Sequence, residues 1–466
     1  MNRRTSARLL AVLAAGSLFV AACSSDSDTS NDTTEATTGD TTAETTPGDT
    51  TVDTTPMSEA WAVDTVDCID EAAANAPIEG EIKIGSVMPL TGGVAAAAFA
   101  PVKDGFLAYI DYANEKGLLG DLTVSATVED DQYNKDLTPD AVSKLIDSGV
   151  NLFSGIIGSP NNAAVRDTLN EECIPQLDAL TGSPEWGRAA DYPWTTGVLV
   201  PYTVESKVYA KKIADLYPEG AKVAMFYVNN EFGQVYADAF KELAGDYNLE
   251  IIDEQTIEAT DAAPPASQLT SIAAAKPDVI MAVPLGAGCI GFLSELAAAK
   301  AQNSGWEPAT FITNTCASSL ILGLAGAAVE GVYTSNATID IGNPANADLP
   351  NVKEYLDFMA SKGLSASATT GAAGWNTAEA TIAAIKQAMD SPEGLTRASI
   401  INAARNLEYT PMLARDGVIA RSIGESDPFL FESLQVLQIA FHPEAEGDAK
   451  ITFTDIGDLI TEFESK

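Results

Sequence analysis

Histidine is almost missing from this sequence, since His442 is the single one among 466 residues. Catalysis by a Ser–His–Asp or Cys–His arrangement would have to use that residue, and no group of His, Cys and Asp residues has the spacing of a zinc site. We therefore expect a protein that is not an enzyme and that holds neither a metal ion nor another cofactor.

Basic residues are also scarce, with 26 Lys and Arg against 66 Asp and Glu and a formal net charge of −40. A chain of this charge repels nucleic acid and anionic head groups, and no basic patch interrupts the acidic composition. The charge thus excludes a nucleic-acid partner and favours solubility.

The sequence lacks a long hydrophobic run as well. The apolar stretch Leu9–Ala22 is 14 residues long, whereas a membrane span needs roughly 20. Three arginines precede it and small residues end it, which is the pattern of a secretory signal. Because Val20–Cys23 resembles the lipobox of bacterial lipoproteins, residues 1–22 are predicted to be a lipoprotein signal peptide and Cys23 the lipidated residue. The alternative is an ordinary secretory signal followed by a chance cysteine.

The segment after Cys23 has almost nothing to bury. Residues 24–56 contain thirteen threonines and eight acidic residues, with no Lys, Arg or aromatic residue. Burial cannot offset the ordering entropy of such a chain, and repulsion between its acids keeps it extended. Residues 23–56 are therefore predicted to be a disordered tether, and residues 57–79 an N-terminal extension of the folded body.

From Gly80 onward, short β-rich runs alternate with longer helical patterns. IKIGSVMPL (82–90) predicts a strand and PVKDGFLAYIDYANEKG (101–117) an amphipathic helix. A second series of this kind starts near Pro201, after a break at 192–201. Such alternation predicts βαβ units, so the expected fold class is α/β, with two doubly wound parallel sheets.

Ligands of such sheets bind at the carboxyl ends of the strands. The loops at these ends are MPLTGG (88–93), GSPNN (158–162), DALTGS (178–183), VNNEFG (228–233), PLGAGCIG (284–291) and TNTCASS (313–319). In the second loop, Ser159 or Asn161 can cap a helix whose N-terminus favours an anion. Thr181 adds a hydroxyl at the neighbouring strand end. Together these loops could hold one carboxylate, or they could serve as plain helix caps.

The run Gly286–Gly291 matches the G-x-G-x-x-G pattern of dinucleotide sites. Such sites also need an acid about 20 residues on, at the end of the next strand. Here that strand ends at Asn314, without an acid. We expect no nucleotide cofactor, and the glycines either admit another ligand to the backbone or simply form the turn.

Aromatic and acidic residues near the loops have two interpretations each. Phe99, Phe232 and Trp375 could form the walls of a pocket or pack between lobes. The acids of VEDD (128–131) could form an acid/base pair, but a solvated strand end is the favoured interpretation.

Four cysteines remain besides Cys23, and in an exported chain an even number suggests two disulfides. Cys289 and Cys316 each follow one of two consecutive strands, and Cys173 lies at a helix end where it could hold the segment of Cys68. We predict the pairs Cys68–Cys173 and Cys289–Cys316; the alternative is four free thiols.

The order of these segments resembles a known family, the type I periplasmic-binding-protein lipoproteins of the leucine/isoleucine/valine-binding branch, which serve ABC transporters. The resemblance covers residues 80–440. It rests on the segments IKIGSVMPLTGG, DGFLAYIDYANEKG, VEDDQYNKDLTPDAVSKLIDSGV, GIIGSPNNAAV, IPQLDALTGSPE, VAMFYVNNEFGQVYADAFKE, AAAKPDVIMAV and AGAAVEGVYTSN.

The resemblance implies two lobes joined by three hinge segments that close over a small ligand. Lobe 1 would comprise residues 80–197 and 336–430, and lobe 2 residues 198–335 and 431–466. The chain would cross between them near Thr196–Gly197, near Ser335–Asn336 and within 412–430. The expected protein is a monomeric, membrane-anchored, extracytoplasmic solute-binding lipoprotein that delivers its ligand to the permease subunits of an ABC importer. The alternatives are a ligand-sensing module without transport and an exported enzyme.

The resemblance also implies a ligand site. Ser159 and Thr181 match residues that hold a carboxylate in amino-acid-binding members, and Phe99 and Phe232 match aromatic contacts. No acid stands at Asn314 or Thr315, where those members bind the ligand's ammonium group. We therefore expect a small solute with a carboxylate or amide head and no buried ammonium, unless Asp178 reaches it. The predicted ligand-binding residues are Phe99, Ser159, Asn161, Asp178, Ala179, Thr181, Phe232, Leu285, Asn314, Thr315 and Trp375.

Overall fold

The computed structural model of this protein describes residues 60–92, 96–259, 261 and 263–465. The predicted signal peptide, the lipidated Cys23 and the tether lie outside these residues. Within the described ranges, no helix is both long and apolar enough to cross a bilayer.

The strands follow the predicted alternation with the helices. The strands are β1 Glu81–Met88, β2 Thr123–Asp130, β3 Leu152–Ser154, β4 Gln176–Ala179, β5 Thr195–Gly197, β6 Ala221–Val228, β7 Leu249–Ile257, β8 Val279–Val283, β9 Ala309–Ile312, β10 Tyr333–Asn336, β11 Glu408–Tyr409, β12 Ala420–Arg421, β13 Gln435–Phe441 and β14 Ile451–Asp455. The α-helices are α1 Glu71–Ala74, α2 Ala96–Lys116, α3 Thr138–Asp147, α4 Ser159–Glu171, α5 Tyr202–Leu216, α6 Glu231–Ala244, α7 Ala266–Ala275, α8 Ala287–Gln302, α9 Ser319–Ala325, α10 Pro350–Ser361, α11 Ala368–Met389 and α12 Arg397–Arg405.

The strands form two large sheets. The first sheet has the order β2-β1-β3-β4-β5 and is parallel throughout. The second has the order β14-β13-β10-β9-β8-β6-β7, in which β13 and β14 run antiparallel to their neighbours. All five residues of β8 are buried, as expected of a strand in a parallel sheet covered by helices on both faces. The α/β fold class predicted from the sequence is confirmed.

Helix α11 packs closely along α2 in the layer that covers the first sheet. The approach depends on glycines, because a Cβ added at Gly105 would lie 1.8 Å from the carbonyl oxygen of Gly371. A Cβ at Gly374 would similarly lie 1.9 Å from the carbonyl oxygen of Val102. These glycines let two long helices touch through their backbones, which brings one face of α11 to the carboxyl ends of the first sheet.

The chain passes between the sheets three times. It leaves the first sheet after β5, which lies inside the break predicted at 192–201, and leaves the second sheet after β10. After α10, α11, α12 and the small β11–β12 hairpin, it returns between Arg421 and Gln435.

Both predicted cysteine pairs are joined in the structure. The Cys68–Cys173 bond, with Cα atoms 5.5 Å apart, connects the N-terminal extension to the residue after the C-cap of α4. Beside it, the backbone N–H of Ile69 donates to the carbonyl of Glu171 at 2.9 Å. The Cys289–Cys316 bond connects the first turn of α8 to the loop after β9.

Candidate ligand-binding cleft

A cavity of about 260 Å³ lies where the carboxyl ends of the two sheets face each other. Its floor consists of the three connecting segments, represented by Val198–Val200, Asn336–Thr338 and Phe431. Among the lining residues that the structure describes, none is an Asp, Glu, Lys, Arg or His. The cavity is thus an uncharged space with aromatic, aliphatic, hydroxyl and amide groups on its surface.

One side of the cavity, the second wall, is formed by Phe232, Leu285, Asn314, Thr315 and Ser318 from the loops after β6, β8 and β9. Four of these residues are among those predicted from the sequence. Phe232 occupies the first turn of α6, where the Asn230 side chain accepts from the Gly233 N–H at 3.3 Å.

The Cys289–Cys316 disulfide joins two loops of the second wall. Cys316 directly follows Thr315, and Cys289 lies four residues beyond Leu285. Gly286, the first glycine of the G-x-G-x-x-G match, forms this turn with φ +55° before α8, and Gly288 and Gly291 lie inside the helix. No acid stands at the end of β9, where a dinucleotide site would need one.

A buried carboxyl group supports the second wall from behind. Glu205 on α5 accepts the backbone N–H of Asn314 at 2.7 Å and the Ser335 hydroxyl at 3.0 Å, and the Tyr236 phenol also donates to it. Burial raises the pKa of Glu205, and these hydrogen bonds oppose the rise. Sequence reasoning missed Glu205 because an acid inside a helical pattern is usually exposed.

The opposite side, the first wall, consists of Phe99, Tyr133, Gly158 and Leu180 together with one face of α11. The α11 residues on this face are Thr369, Thr370, Ala372, Ala373, Asn376 and Thr377. Their spacing of one, three and four residues is that of a single helix face.

Other predicted residues of the first wall lie behind the cavity surface. Ser159 and Thr181 are 2% and 1% exposed, and their hydroxyl oxygens are 2.6 Å apart. Asn161 is buried and donates through Nδ2 to Asp131 at 2.8 Å, and Ala179 is fully buried. The structure therefore brings the two hydroxyls together as predicted, without placing them among the lining residues.

Asp178 is also directed away from the cavity. Its side chain accepts the Thr381 hydroxyl at 2.6 Å, and Thr381 in turn lies 2.6 Å from the Ser154 hydroxyl. Burial raises the pKa of Asp178 to about 7. The carboxyl group is thus bonded within the layers of the first sheet, and Asp178 is not one of the residues that line the cavity.

Trp375 belongs to the packing of the first sheet. It is fully buried, and its ring centroid lies 4.9 Å from those of Tyr109 and Tyr355. The next residue, Asn376, lines the cavity instead. Adjacent residues of an α-helix point in directions about 100° apart, so Trp375 and Asn376 lie on different faces of α11.

Two tyrosines that sequence reasoning missed, Tyr133 and Tyr202, line the cavity. Tyr133 and its predecessor Gln132 both have φ +57°, a conformation that non-glycine residues adopt rarely. Asp130 and Asp131 hold it by accepting the N–H groups of Gln132 and Tyr133, each at 3.0 Å. Asp130 and Asp131 thus shape a loop and are more than a solvated strand end, whereas Glu129 pairs with Lys144 at 2.7 Å.

Polar contacts join the two sides of the cleft. The Ser318 and Thr370 hydroxyls lie 3.0 Å apart, and Thr369 donates to Asp448. At the rim, Lys135 lies 3.9 Å from Glu231. The two walls therefore contact each other directly in the structure.

Comparison with known proteins agrees with this geometry. The family model described as periplasmic binding protein matches residues 81–431. No curated protein matches the sequence.

Solved structures share the fold. A branched-chain amino acid ABC transporter protein of Thermus thermophilus with bound valine is 18% identical, with a TM-score of 0.70, covering 82% of this chain and 97% of its own. A fatty acid ABC transporter substrate-binding protein of Thermomonospora curvata is 19% identical, with a TM-score of 0.67 and coverages of 84% and 94%. A solute-binding protein of R. palustris in complex with 4-hydroxybenzoate is 19% identical, with a TM-score of 0.66 and coverages of 82% and 97%.

Proposed function

The chain belongs to the periplasmic binding protein family, and from this premise we propose that it is an extracytoplasmic lipoprotein that captures a small organic solute for an ABC importer. It is a solute-binding protein and not an enzyme. The observation that carries the proposal is the uncharged cavity at the facing carboxyl ends of two sheets, since open α/β sheets bind ligands at this position.

We propose that the ligand contacts Phe99 and the second-wall residues Phe232, Leu285, Asn314 and Thr315. The remaining predicted residues would shape the site from behind, and the burial of Ser159, Thr181 and Asp178 supports this role. The solved relatives are described with valine, fatty acid and 4-hydroxybenzoate, three ligands with an apolar body and one carboxyl group. An α-amino acid fits this chain less well, because its ammonium group would be buried without a carboxylate partner.

Two lobes that close over the solute would account for the three connections and for the contacts between the walls. Such clamps close by hinge bending. Small-angle scattering should therefore show a smaller radius of gyration with solute than without it. A tightly bound solute that leaves the radius of gyration unchanged would contradict this part of the proposal.

Lipid anchoring rests on the sequence around Cys23. Replacing Cys23 with Ser should release the full-length protein into the medium or leave an uncleaved precursor, and metabolic labelling with a fatty acid should fail. The matched control is Ser24→Ala, one residue later, which should stay anchored. Unchanged membrane retention and labelling of the Cys23→Ser protein would contradict lipidation.

The transport role is tested by screening and uptake. Apolar amides, carboxylates and amino acids would be compared by thermal shift, because a bound solute raises the melting temperature by mass action. Uptake of each hit would then be measured in cells with and without the gene. Loss of uptake in the deletion strain supports an importer component, whereas binding without any effect on uptake would favour a sensing module.

A further inference from the structure

Tyr202 begins helix α5, directly after the connection from the first sheet to the second. Its side chain lines the cavity although it is only 4% exposed. The ring stacks on Tyr236 with centroids 4.4 Å apart and meets Phe232 edge-on at 5.2 Å. These contacts fix one face of the ring to the second wall.

The other contacts of Tyr202 are with the loop that carries Thr181. Its backbone N–H donates to the carbonyl of Gly182 at 2.7 Å. Its ring lies so close to this glycine that a Cβ there would be 2.6 Å from Cδ1 of the tyrosine. The ring therefore covers the residue next to Thr181, whose hydroxyl lies 2.6 Å from that of Ser159. Burial at this place raises the pKa of the Tyr202 phenol.

Tyr133 covers the neighbouring loop in the same way. Gly158, which precedes α4, has φ +102°, and a Cβ there would lie 2.7 Å from Cε2 of Tyr133. Asp131 connects the two parts, because it accepts both the Tyr133 N–H and the Asn161 side chain. Tyr202 thus packs on Gly182, the residue after Thr181, and Tyr133 packs on Gly158, the residue before Ser159.

We infer that Tyr202 is a specificity-determining residue that closes the Ser159–Thr181 hydroxyl pair off from the cavity, with Tyr133 covering the adjoining start of α4. The selected solutes are then apolar molecules whose polar head is an uncharged amide, carbonyl or hydroxyl group. A carboxylate in this cavity would lose its hydration without meeting a cation or the hydroxyl pair. This inference names the ligand class of the proposed function and rests on it.

The test uses benzoate and benzamide as probes, because they differ in head-group charge and hardly in shape. Affinities at pH 7.5 would be measured by titration calorimetry and by thermal shift for the wild type, Tyr202→Ala, Tyr202→Ser and Tyr202→Phe. The two small replacements should open the hydroxyl pair. We expect the affinity ratio of benzoate to benzamide to rise by about tenfold or more, the effect of a charge-assisted hydrogen bond.

Two controls separate this effect from a general enlargement of the cavity. Tyr202→Phe keeps the cover and should leave the ratio near that of the wild type. Adding Thr181→Val to either opening variant should return the ratio to the wild-type value, because it removes one hydroxyl at almost constant volume. Thr181→Val alone should not change the ratio.

Two results would overturn the inference. One is a folded Tyr202→Ala or Tyr202→Ser protein with an unchanged ratio. The other is a wild type that already prefers benzoate and loses this preference with Thr181→Val, since the hydroxyl pair would then be open. Because this readout measures binding to the isolated protein, it is independent of uptake, so a failure of the importer role would be recognised separately in the uptake assay.

Discussion

The second wall holds its loops together by a covalent bond, whereas the first wall holds its loops by hydrogen bonds under a tyrosine cover. The Cys289–Cys316 bond lies next to Thr315 and presents that loop's side chains directly to the cavity. On the first wall, Ser159 and Thr181 bond to each other behind Tyr133, and Tyr202 covers them from the start of α5. Loops at equivalent strand ends can therefore line the cavity with their own side chains, or lie behind aromatic side chains that line it instead.

Both walls are nevertheless supported by buried carboxyl groups. Glu205 organises the second wall through Asn314, and Asp131 organises the first through Tyr133. The two walls differ in the group that lies between this carboxyl group and the cavity. On the second wall that group is the backbone turn at Asn314, and on the first wall it is the ring of Tyr133.

Removing the support of the second wall should have the largest effect. Glu205→Ala leaves the Asn314 N–H and the Ser335 and Tyr236 hydroxyls without their acceptor. We expect a loss of about 3–5 kcal/mol in the free energy of unfolding, measured by urea denaturation. Glu205→Gln keeps one acceptor oxygen and should lose less.

The matched control is Glu254→Ala, an acid on β7 of the second sheet. Glu254 pairs with Lys241 at 2.6 Å in a partly exposed position, where an ion pair contributes at most about 1 kcal/mol. Equal losses for Glu205→Ala and Glu254→Ala would show that the second wall does not depend on its buried carboxyl group.

The disulfide of the second wall comes next. Its cysteines are 27 residues apart, and loop entropy then predicts a loss of about 3 kcal/mol for Cys289→Ser/Cys316→Ser. Ligand affinity should fall too, because the Leu285 and Asn314 loops become independent. The comparison is Cys68→Ser/Cys173→Ser, which should lower stability and leave affinity unchanged. An affinity loss in that second protein alone would reverse our assignment of the two bonds.

The sequence predicts the second wall better than the first for a physical reason. Leu285 and Asn314 each lie two residues past the end of a strand, so the strand-end rule alone directs them to the cleft. The fold class follows in the same way from buried runs such as Val279–Val283. Tyr133 reaches the cavity through a left-handed turn, and Tyr202 reaches it because its ring packs on Gly182. No pattern of residue types in the sequence predicts either arrangement.

Helix α11 shows a third case. Its run of small residues predicts no amphipathic stripe, yet Thr369, Asn376 and Thr377 line the cavity. Trp375 was the most prominent residue of this segment, and the structure places it in the packing around Tyr109. Close contact of α2 with Gly371 and Gly374 sets the rotation of the helix, and that contact depends on tertiary structure.

A buried acid behind the first wall should make the stability of the protein depend on pH. Glu379 on α11 accepts the Met412 N–H at 3.0 Å, and Tyr109 and Tyr409 are near its charge. Burial raises the pKa of Glu379 from 4.5 to about 7. The folded state therefore holds the proton more tightly than the unfolded state, so this contribution to stability is complete below pH 4.5 and is lost as the pH rises to about 7.

Glu379→Gln should remove that loss, since the amide stays neutral and can still accept from Met412. The stability of the variant relative to the wild type should improve by about 2–3 kcal/mol between pH 4.5 and pH 8, as the pKa difference requires. Urea denaturation at several pH values would measure it. A difference between the two proteins that does not change with pH would mean that folding does not shift the pKa of Glu379.

The smallest effect should come from the ion pair between the walls. Lys135 and Glu231 lie 3.9 Å apart at the rim, with side chains 57% and 46% exposed. Water and salt screen a pair of this kind, so Lys135→Ala should change the free energy of unfolding by at most about 0.5 kcal/mol. Solute affinity should be equally insensitive, because closure rests on packing and on the Ser318–Thr370 contact inside the cleft. Thr370→Val would be the comparison at that contact, and titrations at low and high salt would measure both proteins. A salt-dependent loss of affinity in Lys135→Ala, without one in Thr370→Val, would show instead that charge at the rim closes the two walls.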